Sequence, residues 1–134
     1  MLSEIDVRTR KRIELMDVTS SIRKIVAQSG VDEGLCHVFV PHTTAAVTIN
    51  EKADPDVARD IEATLSKLVP EGAGYRHTEG NSDAHVKSSL VGVSAFVPVS
   101  GGDVVLGAWQ AVFFCEFDGP RSRRCLVHVI DAEG

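Results

Sequence analysis

Charged and apolar residues alternate with a period of two over the first fifteen residues, where Ile5, Val7, Thr9, Lys11, Ile13 and Leu15 share one side. Successive side chains of a strand point to opposite faces, so this spacing predicts one long strand with a wet face. From Asp17 the period lengthens. Val18, Ile22, Ile25 and Val26 form a helical stripe, and Gly30 is its expected stop, because glycine readily takes the left-handed conformation that ends helices. A strand from Gly34 to Val40 follows, then Pro41, then a second strand, HTTAAVTIN, from His42 to Asn50. Asp54-Pro55 marks a helix start, with Asp as cap and Pro at the first helical position. Val57, Ile61, Leu65 and Leu68 recur at spacings of four, four and three, which predicts one buried stripe that Pro70 terminates. A short helix is expected over Ala84 to Val91, stopped at Gly92, and a strand over Ser94 to Val99. Gly101-Gly102 predicts a hairpin turn, Asp103 to Phe117 a long strand, and Asp118-Gly119-Pro120 a turn into a last strand, Arg121 to Ile130.

Strands with helices inserted between them, followed by a strand-only C-terminal half, indicate an α+β domain on largely antiparallel sheet, with two to three helices. The 134 residues are expected to form a single domain, residues 1–134, able to bury its own core. Aromatics make up only 5%, so that core must rest on Val, Leu, Ile and Ala. The strand Trp109 to Phe117 is apolar on both faces, Val112 and Phe114 on one and Ala111, Phe113 and Cys115 on the other. Burial on both sides in so small a domain suggests that a partner subunit covers one face.

The charge balance narrows the function. Fourteen Lys and Arg against nineteen Asp and Glu leave a net charge of -5, which argues against a nucleic-acid binder. No apolar run is long enough to span a bilayer, and the N-terminus lacks the apolar region of a signal peptide, so a cytoplasmic location without membrane contact is expected. Cys36, Cys115 and Cys125 are odd in number, widely spaced and set in apolar stretches; they read as buried free thiols.

Candidate chemistry centres on the HTT strand. His42, Thr44, Ala46, Thr48 and Asn50 form a face of small polar groups, the composition of a pocket floor or of a strand packed under a helix. His42, His77 and His85 lie in polar company without the spacing of a compact metal pair, so a shared site must be assembled by the fold. His85, Ser88 and Ser89 would share a helix face. His37 and His128 sit inside apolar strands and read as hydrogen-bonded sheet histidines. Carboxylates at a helix start are favoured by the helix dipole whatever their function, which accounts for Asp54 and Asp56; Glu51 is the better acid/base candidate. Gln110 needs hydrogen-bond partners on its apolar strand. Arg121, Arg123 and Arg124 offer phosphate contacts or plain solvated surface.

HTTAAVTINE, ADPDV, YRH, GN with DAH and KSSLVG, LGAWQ and EFDGPRSR occur in this order between Arg10 and Val129. On these motifs the chain resembles the YjbQ-like family, whose members are described as secondary thiamine-phosphate synthases or are uncharacterised. The resemblance implies a β-sandwich-like α+β core, assembly as a homotrimer, and a polar site built from His42, His77 and His85. It also points to Asn50, Glu51, Asp54, Asn81, Gln110 and Arg121. The implied activity joins an aminopyrimidine-methyl pyrophosphate to a thiazole phosphate and releases pyrophosphate. The expected roles are therefore His42, His77 and His85 as ligands of one divalent metal, zinc foremost, with magnesium an option for pyrophosphate chemistry. Glu51 and Asp54 would be catalytic or orient a ligand histidine, and Thr44, Asn50, Asn81, Gln110 and Arg121 would bind a small-molecule substrate. A non-catalytic trimer that binds a metal or metabolite, and a metal-dependent hydrolase, are the alternatives.

Overall fold

A computed structural model describes residues 2–134. Eight strands and three helices follow in the order β1 (Leu2–Arg8), β2 (Glu14–Asp17), α1 (Thr19–Ser29), β3 (Gly34–Phe39), β4 (Ala45–Glu51), α2 (Pro55–Leu68), α3 (Ser82–Val91), β5 (Ser94–Ser100), β6 (Asp103–Val104), β7 (Gln110–Glu116) and β8 (Ser122–Asp131). They build a five-stranded sheet in the order β1-β8-β3-β5-β6 and a three-stranded sheet in the order β2-β7-β4. All pairings are antiparallel. The α+β class and the antiparallel sandwich expected from the sequence are therefore present.

Alternation within the strands decides the layering. Cys36 and Val38 of β3, Val97 and Val99 of β5, and Cys125, Val127 and Val129 of β8 point inward from the larger sheet. They meet Ala45 and Val47 of β4 and Val112 and Phe114 of β7, and Ile22 and Val26 of α1 fill the same layer. The opposite face of the small sheet carries Ala46 and Cys115, which pack with Phe117 and Ala84 under α2 and α3. The two-sided apolarity of β7 is thus satisfied inside one chain. The helices, not a partner subunit, cover its outer face.

Three expected elements take other shapes. The N-terminal strand is broken: β1 belongs to one sheet and β2 to the other, and the chain crosses between them at residues 9–13. Thr9 sits at the crossing, buried, with its amide on the Arg121 carbonyl at 3.0 Å and its hydroxyl on Glu116 at 2.8 Å. The expected strand from Asp103 to Phe117 likewise divides into β6 and β7, which lie in different sheets. Gly107, in the middle of that run, is the sequence signal for the break; its amide donates to Gln110 Oε1 at 2.8 Å and closes a turn that leaves Trp109 65% exposed. Finally, α2 has the expected cap, Asp54 accepting from the Asp56 amide at 2.9 Å, but none of its residues is fully buried and Leu68 is exposed. A second uncovered apolar surface lies on the outer face of the large sheet, where His37 stacks on the exposed Phe96 at 4.5 Å and pairs in register with His128. All three cysteines are free and buried, as expected.

Phe114 is fully enclosed between the two sheets. Phe114→Ala should cost about 3–5 kcal/mol, the usual penalty for emptying a packed aromatic site, read as a lower denaturant midpoint at unchanged slope.

Candidate functional site

The site begins where β3 ends. The last β3–β8 pair is Phe39 with Leu126, and β8 extends two turns of the pleat beyond it, to Ser122. The chain leaves the sheet through Val40 and Pro41, so the next backbone donor of β8 on that side, the Arg124 amide, loses its strand partner. His42 replaces it: the amide donates to His42 Nε2 at 3.0 Å. The ring is half-buried and titrates below the ordinary histidine range, because burial penalises the imidazolium and the neighbouring Arg123 guanidinium repels it.

Thr44, two residues on, is clamped from below. Arg123 donates to its hydroxyl at 2.7 Å and to its carbonyl at 3.3 Å. That guanidinium is itself buried against Glu116, which is wholly enclosed and accepts from Arg123 Nε at 2.8 Å, from Thr9 and from the Asp118 amide at 2.9 Å. Burial opposes ionisation of Glu116, but Arg123 and the two neutral donors outweigh it and hold the carboxyl below its usual range. The signal in the sequence was a lone acid inside the apolar run VFFCEF, which had to find a cation; the run EFDGPRSR returns Arg123 to it across the turn.

The other wall is α3. Ala84 packs on Ala46, and Ser88 donates to the Ala45 carbonyl at 2.6 Å. Rotation of the helix is fixed by a second buried cluster: Lys87 donates to Asp83 at 2.8 Å, and Arg12 grips the same carboxylate with two bonds of 2.9 and 3.1 Å. Burial disfavours the Asp83 charge, but its two cations prevail and hold it at about 2. With Asp83 and Lys87 turned inward, His85, Ser88 and Ser89 line the cleft that His42 and Thr43 close from the other side, a space of about 450 Å³. A second groove of about 340 Å³, with Tyr75, Arg76, His77 and Ser82, meets the first at His85. The His77 and His85 rings stand edge to face with centroids 5.4 Å apart. His77 Nε2 bonds Asn81 Oδ1 at 3.0 Å, Asn81 donates to Asp118 at 2.9 Å, and Arg121 donates to the same carboxylate at 2.9 Å.

The UPF0047 protein YjbQ-like family profile matches residues 3–132. The chain belongs to this family. A UPF0047 protein of Methanocaldococcus jannaschii, MJ1081, is 49% identical over 130 residues, covering 97% of this chain and 94% of that protein. YugU of Bacillus subtilis is 44% identical over 131 residues, covering 97% and 99%. The crystal structure of an uncharacterized YjbQ/UPF0047 protein of Clostridium acetobutylicum superposes with a TM-score of 0.94 at 47% identity, covering 96% of this chain and 99% of that one. A protein of unknown function from Sulfolobus solfataricus gives a TM-score of 0.94 at 33% identity, covering 98% and 96%.

In this YjbQ-like chain the expected site residues separate into two groups. His42, His77, His85 and Asn81 gather around the two clefts, and Arg121 joins them through Asp118. Glu51, Asp54 and Gln110 lie at the far end of β4, about 20 Å away at the ordinary strand rise, where Glu51 pairs in register with Gln110. Glu51 and Asp54 line a separate cleft of about 280 Å³ beside Glu62 and Arg59. Asp54 is occupied as the cap of α2, Asn50 accepts the Glu51 amide at 2.7 Å, and Thr44 is buried under Arg123. Within one chain, then, Glu51 and Asp54 do not reach the histidines. Among the described residues no group of three His, Cys, Asp or Glu side chains is placed to hold one ion, so the donor set of His42, His77 and His85 is not assembled in a single chain.

The Asp83 cluster yields a pH prediction. A carboxyl whose folded pKa lies near 2 instead of its ordinary 3.8 adds stability above about pH 4 that is lost as the pH falls toward 2. Asp83→Asn leaves Lys87 and Arg12 without their counter-charge and should cost about 3–5 kcal/mol at neutral pH. The acid-induced loss of stability, followed by circular dichroism in denaturant, should also be shallower in the variant.

Proposed function

We propose that the protein is a small-molecule enzyme acting on a phosphorylated or pyrophosphorylated substrate that lies across the two clefts, with His85 at their junction. The observation that carries this reading is that His85 lines both spaces, one walled by hydroxyls and His42, the other by Arg76, His77 and Tyr75. Arg76 offers a bidentate partner for phosphate oxygens. The hydroxyls of Thr43 and Ser89 suit a neutral, polar organic half. No ring hydrogen bond ties His85 to the protein among the described residues, so its imidazole is free to pass a proton to a leaving oxygen.

Thiamine-phosphate formation fits this outline as the named candidate reaction. The thiazole nitrogen forms a bond to the pyrimidine methylene carbon, the carbon–oxygen bond to pyrophosphate breaks, and the leaving oxygen takes the electron pair. A proton from His85 and the charge of Arg76 would stabilise that oxygen as the bond lengthens. The protein would work in the cytoplasm; no helix among the described residues is long and apolar enough to cross a membrane. We further propose assembly as a homotrimer, which the exposure of the large apolar side chains Trp109, Phe96 and Leu68 supports.

Purified protein given both substrates should release pyrophosphate. His85→Ala should lower kcat by about 10²–10⁴-fold, the usual worth of a positioned acid or base, and Arg76→Ala should chiefly raise KM. Pyrophosphorylated compounds that bind the wild type without turnover would leave a binding protein in place of an enzyme. Light scattering should return three times the chain mass; a monomer at micromolar concentration would remove the assembly claim.

A further inference from the structure

The two cleft histidines are held in different ways, and this separates their chemistry. His85 extends from a helix face with its ring nitrogens unclaimed among the described residues. His42 accepts the Arg124 amide on Nε2 at 3.0 Å. A backbone amide can only donate, so the nitrogen facing it must carry a lone pair. A neutral imidazole has one N–H, and here it is left on Nδ1.

The surroundings keep the ring in this state. Pro41 fixes the backbone φ immediately before it, and Arg123 anchors Thr44 immediately after it through both hydroxyl and carbonyl. Arg123 cannot drift, because Glu116 holds it in a fully enclosed pocket shared with Thr9. Turning the ring over would leave the Arg124 amide without an acceptor. Protonating Nε2 would set two N–H groups against each other. A metal on Nδ1 would need the proton on Nε2, in the same forbidden place.

From this geometry we infer that His42 is a locked, neutral hydrogen-bond donor that presents Nδ1–H to the cleft, not a metal ligand. Its partner is an oxygen carrying partial negative charge on the bound molecule, such as a phosphate or carbonyl oxygen. The Arg123–Glu116 pair is the positioning device that maintains it. Proton transfer then falls to His85 alone, while His42 stabilises charge without changing its own. This catalytic consequence rests on the cleft being the active site; the tautomer does not.

The test reads the tautomer directly. Long-range ¹H–¹⁵N spectra of the ligand-free protein at mildly alkaline pH should show His42 with a protonated Nδ1 and an unprotonated Nε2. The His42 signals can be assigned by their loss in His42→Ala. Should that variant fail to fold, through-bond correlation from the His42 backbone in the wild type gives the same assignment. Added zinc should leave the His42 nitrogens unshifted, and zinc content should be equal in the wild type and in His42→Ala. A ring with its proton on Nε2, or zinc-dependent shifts of the His42 nitrogens, would overturn the inference. The predicted tautomer in a protein that releases no pyrophosphate would instead count against the enzyme reading and leave this one standing.

Discussion

The buried pair of Glu116 and Arg123 joins the two sheets at the edge where the site forms. Glu116 ends β7, the central strand of the small sheet, and Arg123 lies at the start of β8 in the large one. Between them they also hold Thr9, where the chain crosses from one sheet to the other, and Thr44, where β4 begins. Enclosing two charges costs several kcal/mol per ion before their attraction and hydrogen bonds offset it, so such a pair adds little net stability over an apolar packing. Its effect is registry. Three segments distant in sequence, at Thr9, Thr44 and the Glu116–Arg123 turn, are brought to one point with little freedom to slide, and His42 is carried on one of them.

The Asp83, Lys87 and Arg12 cluster does the same for the opposite wall. α3 is short and carries Ala, Ser and Lys where a packed helix would carry large apolar groups, so burial of its face alone would leave its rotation loosely defined. A carboxylate fixed by two cations, one on the helix and one on the crossing segment, selects a single rotation. It is that rotation which turns His85 toward His42. Both walls of the cleft are therefore positioned by ionic contacts beneath them.

The elements with a strong local signal were legible in the sequence: the Gly30 stop, the Asp54-Pro55 start, the Gly101-Gly102 turn and the Asp118-Gly119-Pro120 turn each sit where expected. Crossings between sheets were not. A strand period of two continues through a corner, because alternation records which side is buried and not which sheet the strand belongs to. Residues 9–13 change layer with no breaker residue in the run, and at the second crossing Gly107 alone marks the break. The site was legible only as a set of residue types. His85 with Ser88 and Ser89 followed from helical spacing, and His42 from its place at the head of a polar strand. The cations beneath them were missed because Arg123 reads as a phosphate contact or solvated surface, Lys87 carries no signal of its own, and no periodicity reveals that a counter-ion waits across the fold.

The distribution of satisfied and unsatisfied polar groups along β4 argues for which end is chemical. At the Glu51 end the motif residues have partners within the chain: Asp54 caps α2, Asn50 takes the Glu51 amide, and Gln110 closes a turn on Gly107. Their presence is accounted for by the fold. At the other end, His42 accepts the backbone on Nε2 and lines the cleft, and His85 stands at the junction of two open spaces. The Glu116–Arg123 pair serves the registry of the sheets. Among the described residues, however, the second nitrogen of His42 and both ring nitrogens of His85 have no protein partner, and the fold does not account for them.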